Sequence, residues 1–385
     1  MKIVFVLSGL GAGGAEKIVN LVAHHRLARG DTVHVIPVNA TGPESYFPYD
    51  GAISVEPLVA EPLVDEKRQP LPASGMGWRL LALRRRLQAL QPDLVISFLT
   101  KINILVGLAT WGLNTAVIMS ERNNFRSQEM HVFWRLARPF AARLATSLVM
   151  QTNEACRCLP EKLKAKAVII PNPVALPAAC ARAPGDGTRL IAVGRLDKQK
   201  GFDLLLQAFR SVAAATPTAT LTIFGEGPQR PALEQQVRDL GLGDRVRMPG
   251  VTKSPADWTS AGDIFVLSSR FEGFPNVLLE AMTAGLAVIA FNCPWGPSEI
   301  LSSPDTGLLV PAADVERLAD AIRRLITDRT LREKLASAAA VAATTRYATS
   351  SVLQLWDDTI AASVARRPSL SARRSIEDTH APAQS

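Results

Sequence analysis

Short apolar runs alternate with amphipathic stretches along most of the chain, and the first half shows this clearly. The runs are rich in β-branched residues, which favours strands, and the stretches between them have helical periodicity, as at residues 14–29 and 78–90. Strict alternation of strand and helix predicts a parallel sheet covered on both faces. The predicted strands of the first half are residues 2–7, 32–38, 53–58, 94–98, 116–119, 147–150 and 167–170.

The same pattern begins again in the second half. It follows Pro171, Asn172, Pro173 and a stretch rich in Pro, Ala and Gly that ends at Gly187. We therefore predict an α/β protein with two Rossmann-like, doubly wound domains, at residues 1–172 and 187–345. Ligands of such sheets bind outside the carboxyl ends of the strands, so two facing domains predict an interdomain cleft. The second set of strands is residues 190–193, 220–224, 245–248, 264–267 and 287–290, with helices at 201–214, 229–241, 276–284 and 314–327.

The end of the chain has a different character. Residues 350–364 predict one more helix, and we expect the segment 346–365 to return to the first domain. The tail, residues 366–385, is polar with Pro and Ser, which is typical of disorder.

Composition agrees with a two-domain globular protein. The chain has 385 residues, of which 47% are hydrophobic and 20% charged. Its four cysteines are too scattered for a disulfide framework or a zinc site, which predicts a reducing, cytoplasmic setting. The apolar start, residues 2–8, is too short for a signal sequence. Polar residues interrupt the apolar stretch at 102–119, so it predicts a helix, a turn and a strand rather than a membrane-spanning helix.

The net charge of +8 is concentrated in the first domain. Residues 1–172 contain 20 Lys and Arg against 13 Asp and Glu, whereas the remainder is nearly balanced. This asymmetry indicates an anionic partner, such as a phosphate-bearing ligand or a membrane surface, although a merely basic surface is the alternative. Nucleic acid is not expected, because the chain has only three Tyr and six Trp and no recognition motif.

A glycine-rich turn follows the first predicted strand. Gly9, Gly11 and Gly14 match G-x-G-x-x-G at a strand–helix junction, where backbone can approach a phosphate at a helix N-terminus. A dinucleotide-dependent oxidoreductase is therefore one hypothesis. That hypothesis requires an acidic residue at the end of the second strand, where this chain has Asn39. Two other interpretations remain open: a diphosphate contact in a protein of another class, and a tight turn that binds no ligand.

The second domain begins with another strand–loop–helix junction, residues 193–201. Arg195 and Lys200 flank the loop that leads into the helix. Two cations beside a helix N-terminus can neutralise a diphosphate. Cations in loops are commonly just solvated, so this pattern alone is weak.

The segment at residues 271–281 carries the most specific pattern. Glu272 lies in the loop after a predicted strand, and Pro275 separates it from the helix that carries Glu280. We predict Asn276 as the N-cap of that helix. A carboxylate can accept two hydrogen bonds from a ribose diol, and a second can hold a sugar hydroxyl. The amides expected to meet an anionic ligand are those of Gly273, Phe274, Asn276 and Val277.

Taken together, these segments resemble the retaining glycosyltransferases of family 4, which have the GT-B fold. The resemblance covers residues 1–360 and also rests on residues 11–16 and 224–228 and on the Glu-x7-Glu pair Glu272/Glu280. Within the family, the chain is most similar to enzymes that extend polyprenyl-diphosphate-linked oligosaccharides, including bacterial N-acetylgalactosaminyltransferases. Residues 292–300 resemble a subset of these transferases.

The resemblance implies a role for each matching residue. Arg195 and Lys200 bind the donor diphosphate and stabilise it as it leaves, while Glu272 contacts the donor sugar near the reacting carbon. Glu280 holds the ribose. Two further pairs complete the donor contacts: Gly13 and Gly14 at the distal phosphate, and Gly250 and Val251 beside the base.

One segment departs from the family pattern. Many relatives have a histidine in the stretch that corresponds to residues 120–124, and here Arg122 stands in its place. We therefore treat Glu121 and Arg122 as candidates for an acceptor or first-domain contact.

The resemblance also implies the reaction. A hexose or N-acetylhexosamine moves from a nucleotide-diphosphate sugar, with UDP favoured over GDP, to a glycan acceptor, with retention of anomeric configuration. No Asp-x-Asp pair lies in a site-like loop, so we expect no cofactor and no obligate metal. The alternatives are a nucleotide-dependent oxidoreductase, which explains only the N-terminal glycines, and a non-catalytic sugar-nucleotide-binding protein.

Two basic–aromatic stretches, residues 78–87 and 133–140, combine apolar positions at helical spacing with arginines. Both predict contact with anionic lipid headgroups, and hence a peripheral position on the inner face of the plasma membrane beside a lipid-linked acceptor. The alternative is an ordinary covering helix with a solvated basic face.

Overall fold

The computed structural model describes residues 1–40, 42–58, 75–122, 131–174, 185–252 and 254–367. The chain forms two compact units. The first contains Met1–Ile170 together with the chain from Leu353 onward, and the second is Pro171–Val352. The tail predicted to be disordered lies outside the described residues from residue 368 on.

The first unit is built on a seven-stranded parallel sheet with the strand order β3-β2-β1-β4-β5-β6-β7. Its strands are β1 (Lys2–Leu7), β2 (Thr32–Pro37), β3 (Ser54–Val55), β4 (Leu94–Phe98), β5 (Ala116–Ser120), β6 (Ser147–Met150) and β7 (Ala167–Ile169). Its helices are α1 (Gly14–Ala28), α2 (Met76–Leu90), α3 (Thr100–Thr110), α4 (Val132–Leu144), α5 (Asn153–Arg157) and α6 (Glu161–Lys164).

The central strands of this sheet are continuous apolar runs because helices cover both faces. All five residues of β4 and of β5 are buried, as expected for parallel strands with no solvent-facing side. The predicted helix, turn and strand at residues 102–119 are confirmed as α3, a turn and β5. Among the described residues, no helix is both long and apolar enough to cross a membrane.

The last helix, α14 (Thr349–Ala365), packs from Leu353 onward as part of the first unit. Its Trp356 is fully buried, with the ring centroid 5.8 Å from that of Phe98. Asp357 accepts hydrogen bonds from His25 (2.8 Å) and Arg26 (2.5 Å) on α1. Although burial opposes the shift, these two partners hold the pKa of Asp357 below its usual value.

The second unit is built on a six-stranded parallel sheet with the order β10-β9-β8-β11-β12-β13. Its strands are β8 (Arg189–Val193), β9 (Thr220–Phe224), β10 (Val246–Gly250), β11 (Ile264–Leu267), β12 (Ala287–Asn292) and β13 (Leu308–Pro311). Its helices are α7 (Phe202–Ala215), α8 (Arg230–Asp239), α9 (Pro255–Thr259), α10 (Asn276–Thr283), α11 (Pro297–Ile300), α12 (Val315–Thr327) and α13 (Arg329–Arg346).

Two apolar clusters cover the two faces of this sheet. Alternate residues of β11 divide between them, with Ile264 and Val266 in one cluster and Phe265 and Leu267 in the other. Strand β13 and helix α13 were not among the predicted elements. The run at β13 is only four residues long and lies at the sheet edge, so it carries a weak periodic signal.

Candidate functional site

The candidate donor site lies in the second unit, at the point where the strand order reverses. Strands β8 and β11 are neighbours although two strands, β9 and β10, separate them in the order of the chain. Their carboxyl ends lead into residues 194–201 and 268–275. A crevice forms at such a point because the connections leave in opposite directions. The two sequence motifs therefore meet at the place where this fold binds ligands.

Four hydrogen bonds that end on backbone carbonyls join the two loops. Lys198, Gln199 and Lys200 form a short 3-10 turn after β8. Ser268 Oγ donates to the Lys200 carbonyl at 2.9 Å, and the Arg270 amide donates to the Gln199 carbonyl at 2.7 Å. Arg270 Nη1 donates to the Lys198 carbonyl at 2.9 Å, and Gln199 Nε2 donates to the Phe271 carbonyl at 3.0 Å. These bonds fix the turn that carries Lys200 against the loop that carries Glu272.

Arg270 is itself held by an ion pair at the start of α7. Its two terminal nitrogens each lie 2.7 Å from an oxygen of Asp203. The hydrogen bonds from Arg270 lower the pKa of Asp203 from its usual value, because they favour the charged carboxylate. Arg270 thus links the 3-10 turn, the loop after β11 and the following helix.

Lys200 and Glu272 form a mostly buried ion pair. Lys200 Nζ lies 2.7 Å from Glu272 Oε1, and the two side chains are 18% and 6% exposed. Ser269 Oγ donates to the same oxygen at 2.6 Å, and Ser269 is buried. Among the described residues, no contact of Glu272 Oε2 is seen. This oxygen is available to accept hydrogen bonds from a ligand's hydroxyl groups.

The backbone of Glu272 is fixed by the segment after β12. The Glu272 amide donates to the Pro294 carbonyl at 2.7 Å, and the Trp295 amide donates to the Glu272 carbonyl at 3.3 Å. Pro294 and Trp295 of the segment 292–300 thus support the loop that carries the first glutamate.

Arg195 is the exposed cation of the site. Its side chain is 71% exposed, and Nε lies 2.6 Å from Asp197 Oδ2. The other oxygen of Asp197 accepts the Lys200 amide at 3.2 Å and caps the 3-10 turn. Asp197 therefore holds both the Arg195 side chain and the backbone of Lys200.

Two glycines allow the loops that follow the strands to approach neighbouring backbone closely. A Cβ at Gly225, where φ is +138°, would lie 1.9 Å from the Gly194 carbonyl oxygen. A Cβ at Gly201, where φ is +62°, would lie 2.1 Å from the Ser268 carbonyl oxygen. Real Cβ atoms do not reach such distances, so both positions require glycine.

The start of α10 differs from the prediction in one respect. Asn276 is not the N-cap: Pro275 occupies that position, and Asn276 is the first helical residue. Its side-chain oxygen instead accepts a hydrogen bond from the buried Asn172 amide at 2.8 Å. The N-cap prediction was wrong because this tertiary partner, 104 residues away, takes the side chain that would otherwise cap the helix.

The other predicted donor-binding residues of this segment lie around the same helix start. Glu280 lies in the second turn of α10, one turn after Asn276, and is half-buried, as are Gly273 and Val277. Phe274 packs edge-on against Tyr347, with ring centroids 5.9 Å apart.

Gly250 and Val251 lie at the carboxyl end of β10, two strands away from β8. The Gly250 carbonyl accepts the Gly225 amide at 2.8 Å. Val251 is 74% exposed. A large apolar side chain open to solvent at the end of a strand is compatible with stacking against a flat ligand, which stays a prediction.

In the first unit, Gly13 and Gly14 lie at the N-terminus of α1, with Gly13 as the N-cap. Both are exposed. The Glu16 carboxylate lies against Gly13, so close that a Cβ there would be 2.1 Å from Oε2. A carboxylate already occupies part of the space next to this helix terminus, which has the positive end of the dipole.

Glu121 and Arg122 follow β5. Glu121 is buried, and its two oxygens accept hydrogen bonds from Thr100 (2.6 Å) and from Arg138 (2.9 Å). These bonds indicate a structural role for Glu121 within the first unit. Arg122 lies over the Phe98 ring, 5.3 Å from its centroid. Burial lowers the pKa of Arg122 to about 10, although the neighbouring Glu121 opposes the shift.

Three site residues carried too weak a signal for sequence reasoning. Ser269 contacts Glu272, Asp197 contacts Lys200 and Arg270 contacts the 3-10 turn that carries Lys200, yet each has an ordinary loop composition around it. Their position directly after β8 and β11 is the one signal that could have identified them. Among the described residues, no group of three His, Cys, Asp or Glu could hold a metal ion.

Comparison with protein families matches both halves of the chain. Residues 12–176 match the model described as "Glycosyltransferase Family 4", and residues 187–328 match the model described as "Glycosyl transferases group 1". The oxidoreductase hypothesis finds no support in these matches, since both models describe glycosyltransferases.

Three curated relatives are named for exopolysaccharide, for lipopolysaccharide or for transfer to a diphospho-undecaprenol-linked sugar. An exopolysaccharide phosphotransferase of Streptomyces coelicolor is 29% identical over 95% of this chain and 41% of its own length. A lipopolysaccharide core biosynthesis glycosyltransferase of Rhizobium meliloti is 36% identical over 48% of this chain and 53% of its own length. A Campylobacter jejuni N-acetylgalactosaminyltransferase, named for a diphospho-undecaprenol-linked acceptor, is 30% identical over 37% of this chain and 39% of its own length. The chain thus spans about half or less of these three relatives.

Among solved structures, an Anabaena protein, HepE, in complex with UDP and glucose is similar. The TM-score is 0.76 at 20% identity, covering 94% of this chain and 99% of that one. A likeness at this identity speaks for the fold, and the predicted GT-B fold with two Rossmann-like domains is confirmed. Both halves of the chain thus match glycosyltransferase models, the first half the Glycosyltransferase Family 4 model and the second half the Glycosyl transferases group 1 model.

Proposed function

We propose that this protein is a glycosyltransferase that moves a hexose or N-acetylhexosamine from a nucleotide-diphosphate sugar to a glycan acceptor. The observation that carries the proposal is the Lys200–Glu272 pair beside Arg195, at the strand-order reversal of the second unit. Cations and a carboxylate then lie together where a ligand of this fold binds.

The chemistry of the leaving group explains this set of side chains. Breaking the anomeric bond creates an oxocarbenium-like sugar and a diphosphate anion. Fixed positive charge at the departing oxygens lowers the barrier because it needs no reorganisation during the reaction. In our proposal, Arg195 and Lys200 supply that charge, and Glu272 holds hydroxyl groups of the donor sugar. Glu280 accepts hydrogen bonds from the ribose.

We propose that the sugar is transferred with retention of configuration, by attack of the acceptor on the face that the diphosphate leaves. We further propose that UDP carries the sugar and that Arg195 and Lys200 make an obligate metal ion unnecessary. The UDP complex of the Anabaena protein of similar fold supports the choice of nucleotide.

The acceptor in this proposal is a growing polysaccharide or lipopolysaccharide chain attached to a lipid diphosphate. Support comes from the relatives: two act by name in exopolysaccharide or lipopolysaccharide synthesis, and one acts by name on a diphospho-undecaprenol-linked sugar. Such an acceptor lies at a membrane, so the enzyme must reach the lipid surface.

A surface on the first unit suits that requirement. Four apolar side chains that solvent can reach, Trp111, Phe133, Leu136 and Phe140, form what we call the α4 patch; Leu136 is 70% exposed and Trp111 59%. The Trp111 and Phe140 rings meet edge-on with centroids 5.6 Å apart.

Charge complementarity commits the α4 patch to one partner, an anionic bilayer. Arg135 and Arg143 lie on the same helix and are exposed. Apolar side chains that enter the acyl boundary, with arginines beside them for anionic headgroups, are typical of interfacial helices. The other basic–aromatic stretch, on α2, does not offer these apolar side chains to a membrane, because Trp78, Leu83 and Leu87 are buried in the core.

A ligand screen tests the proposal. We expect the thermal midpoint to rise with a UDP-sugar and less with GDP- or ADP-sugars, since ligand at 100 times its dissociation constant stabilises by about 2.7 kcal/mol. Wild type should hydrolyse the donor slowly without acceptor, and Glu272→Gln should not. Binding of UDP-sugar without hydrolysis or transfer would favour the non-catalytic alternative. NMR of the first product formed reports its anomeric configuration.

A further inference from the structure

A cavity of about 240 Å³ lies in the first unit at the reversal point of its own sheet. It is bounded by the residues that follow β1, β2 and β4, namely Ser8, Asn39 and Leu99–Lys101, and by Arg79 on α2. Strand β1 is the neighbour of both β2 and β4, so this is where the strand order reverses. The position corresponds to a ligand crevice of doubly wound sheets.

The size of the cavity limits its occupant. A volume of about 240 Å³ is far larger than the roughly 30 Å³ of one water molecule and just below the about 300–1,000 Å³ of pockets for drug-sized ligands. This volume suits a small polar group such as a diphosphate.

The charge of the lining points to an anion. Arg79 and Lys101 line the cavity, and no Asp or Glu is among its described lining residues. Within the described part of the chain, neither cation has an ion-pair partner. By contrast, Arg84 and Arg86 of the same helix are engaged, Arg84 with the Trp111 carbonyl at 2.7 Å and Arg86 with Glu56. Two uncompensated cations at one cavity favour a dianionic ligand.

Polar groups at the cavity mouth have unused hydrogen-bonding capacity. Asn39 Nδ2 donates to Ser8 Oγ at 3.0 Å, which leaves the Ser8 hydroxyl proton able to donate to an anion. Lys101 lies in the first turn of α3, where the positive end of the helix dipole adds to its charge.

The backbone beside the cavity is strained. Leu99 precedes α3 with φ +75° and ψ 145°, a conformation that residues other than glycine rarely adopt. Two backbone hydrogen bonds hold it there, from the Leu99 amide to the Ser120 carbonyl and from the Asn103 amide to the Leu99 carbonyl. Such strain clusters at ligand sites, and here it sets the start of the helix that carries Lys101.

We propose that this cavity binds the diphosphate group of the acceptor, with Arg79 and Lys101 as the residues that hold it. The proposal rests on the proposed function, since it names the chemical class of the acceptor: a diphosphate ester. Arg79 and Lys101 belong to the first domain, which carries most of the protein's excess positive charge.

The test compares three soluble probes: inorganic pyrophosphate, a short-chain prenyl diphosphate and UDP. We expect wild type to bind pyrophosphate and prenyl diphosphate, and the double variant Arg79→Gln/Lys101→Gln to bind both at least about tenfold more weakly, because each lost contact is a charge-assisted hydrogen bond. UDP binding should not change. Arg85→Gln, an exposed arginine of α2 that does not line the cavity, is the matched control.

Several results would overturn the proposal. These are no binding of pyrophosphate or prenyl diphosphate to wild type at millimolar concentration, an equal loss in Arg85→Gln, or unchanged binding in the double variant. A parallel loss of UDP binding would assign the cavity to the donor instead.

Tighter binding of prenyl diphosphate than of pyrophosphate identifies a lipid source, and equal binding would show that the pocket takes free diphosphate. Circular dichroism and the thermal midpoint check folding, and Lys101→Gln alone serves if the double variant unfolds. If wild type binds the diphosphate probes as expected but does not hydrolyse the donor, the proposed function is rejected and the proposed diphosphate site is not.

Discussion

Lys200 Nζ and Ser269 Oγ both donate to one oxygen of Glu272, at 2.7 and 2.6 Å. The Glu272 carboxylate is thereby held through Oε1 alone, and the positive charge of Lys200 is fixed next to it. Because both donors reach Oε1, the rotation of the Glu272 side chain is restricted before any substrate arrives. The first two predictions test the two partners of this carboxylate.

Lys200→Ala should reduce turnover by about 10²–10³-fold, because it removes a preorganised cation from the leaving diphosphate. The measurement is the rate of UDP release with saturating donor. Lys198→Ala is the matched control, since Lys198 belongs to the same 3-10 turn and is exposed. Equal loss in the two variants would show that general positive charge, rather than Lys200, is responsible.

Ser269→Ala should reduce kcat by roughly tenfold while the dissociation constant for UDP stays the same, because a hydrogen bond to a charged group is lost and Glu272 gains freedom. Ser269 is a positioning residue, so Ser269→Thr, which keeps the hydroxyl, should restore most of the rate. Ser260→Ala serves as the control, since that exposed hydroxyl donates to the Ala256 and Asp257 carbonyls within its own helix end. An unchanged kcat in Ser269→Ala would contradict the positioning role.

Gly225→Ala should destabilise the second unit by about 1–3 kcal/mol, the usual range for overpacking a filled site, and the positive φ adds strain. The reason is the Gly194 carbonyl oxygen, which a Cβ would approach to 1.9 Å. Denaturant unfolding measures the change. Gly243→Ala is the control because nothing lies within 4 Å of the position of its Cβ; a similar loss there would argue against the clash.

The Asp203–Arg270 pair should make stability depend on acidity. Because Arg270 lowers the pKa of Asp203 in the folded state, the contribution of this pair is complete above the unfolded carboxyl's pKa of about 3.9 and is lost as pH falls toward the folded value. The difference in unfolding free energy between wild type and Asp203→Asn should therefore be constant from pH 7 to 5 and shrink below about pH 4.

Denaturant unfolding at pH 7, 5, 4 and 3 checks this expectation. Glu333→Gln is the comparison variant, because its ion pair with Arg329 is exposed and contributes little. A difference between wild type and Asp203→Asn that grows as the solution becomes more acidic would refute the assignment.

Leu136→Glu should abolish binding to vesicles that contain anionic phospholipid, because it places a charge in the centre of the α4 patch. Vesicle co-sedimentation at low and high salt measures it, and salt should weaken the wild-type interaction. Val341→Glu, on α13 of the second unit, changes an equally exposed apolar residue outside the patch and should leave binding intact. If wild type ignores anionic vesicles at low salt, the patch has another purpose.

Much of the fold could be read from local pattern. The predicted bounds of β1, β4, β6, β9 and β11 agree with the structure residue for residue. Strands β4, β6 and β11 are wholly buried and β1 nearly so, hence each is a mainly apolar run with clear ends. Strand β9 instead alternates threonines with buried apolar residues. The edge strand β13 was missed for the opposite reason, since at a sheet edge fewer neighbours demand apolar side chains.

The sequence by itself determined that the chain alternates strand and helix in two series, and that its motifs lie after strands. Periodicity and turn residues are local, so a single sequence carries them. Tertiary structure alone decided which side chains meet: Lys200 with Glu272 across 72 residues, and Asn276 with Asn172 rather than with its own helix. It also decided that Trp78 is buried while Leu136 is exposed, although both lie in basic–aromatic helices. The physical reason is that strand order, which no local pattern encodes, brings distant loops to one edge of a sheet.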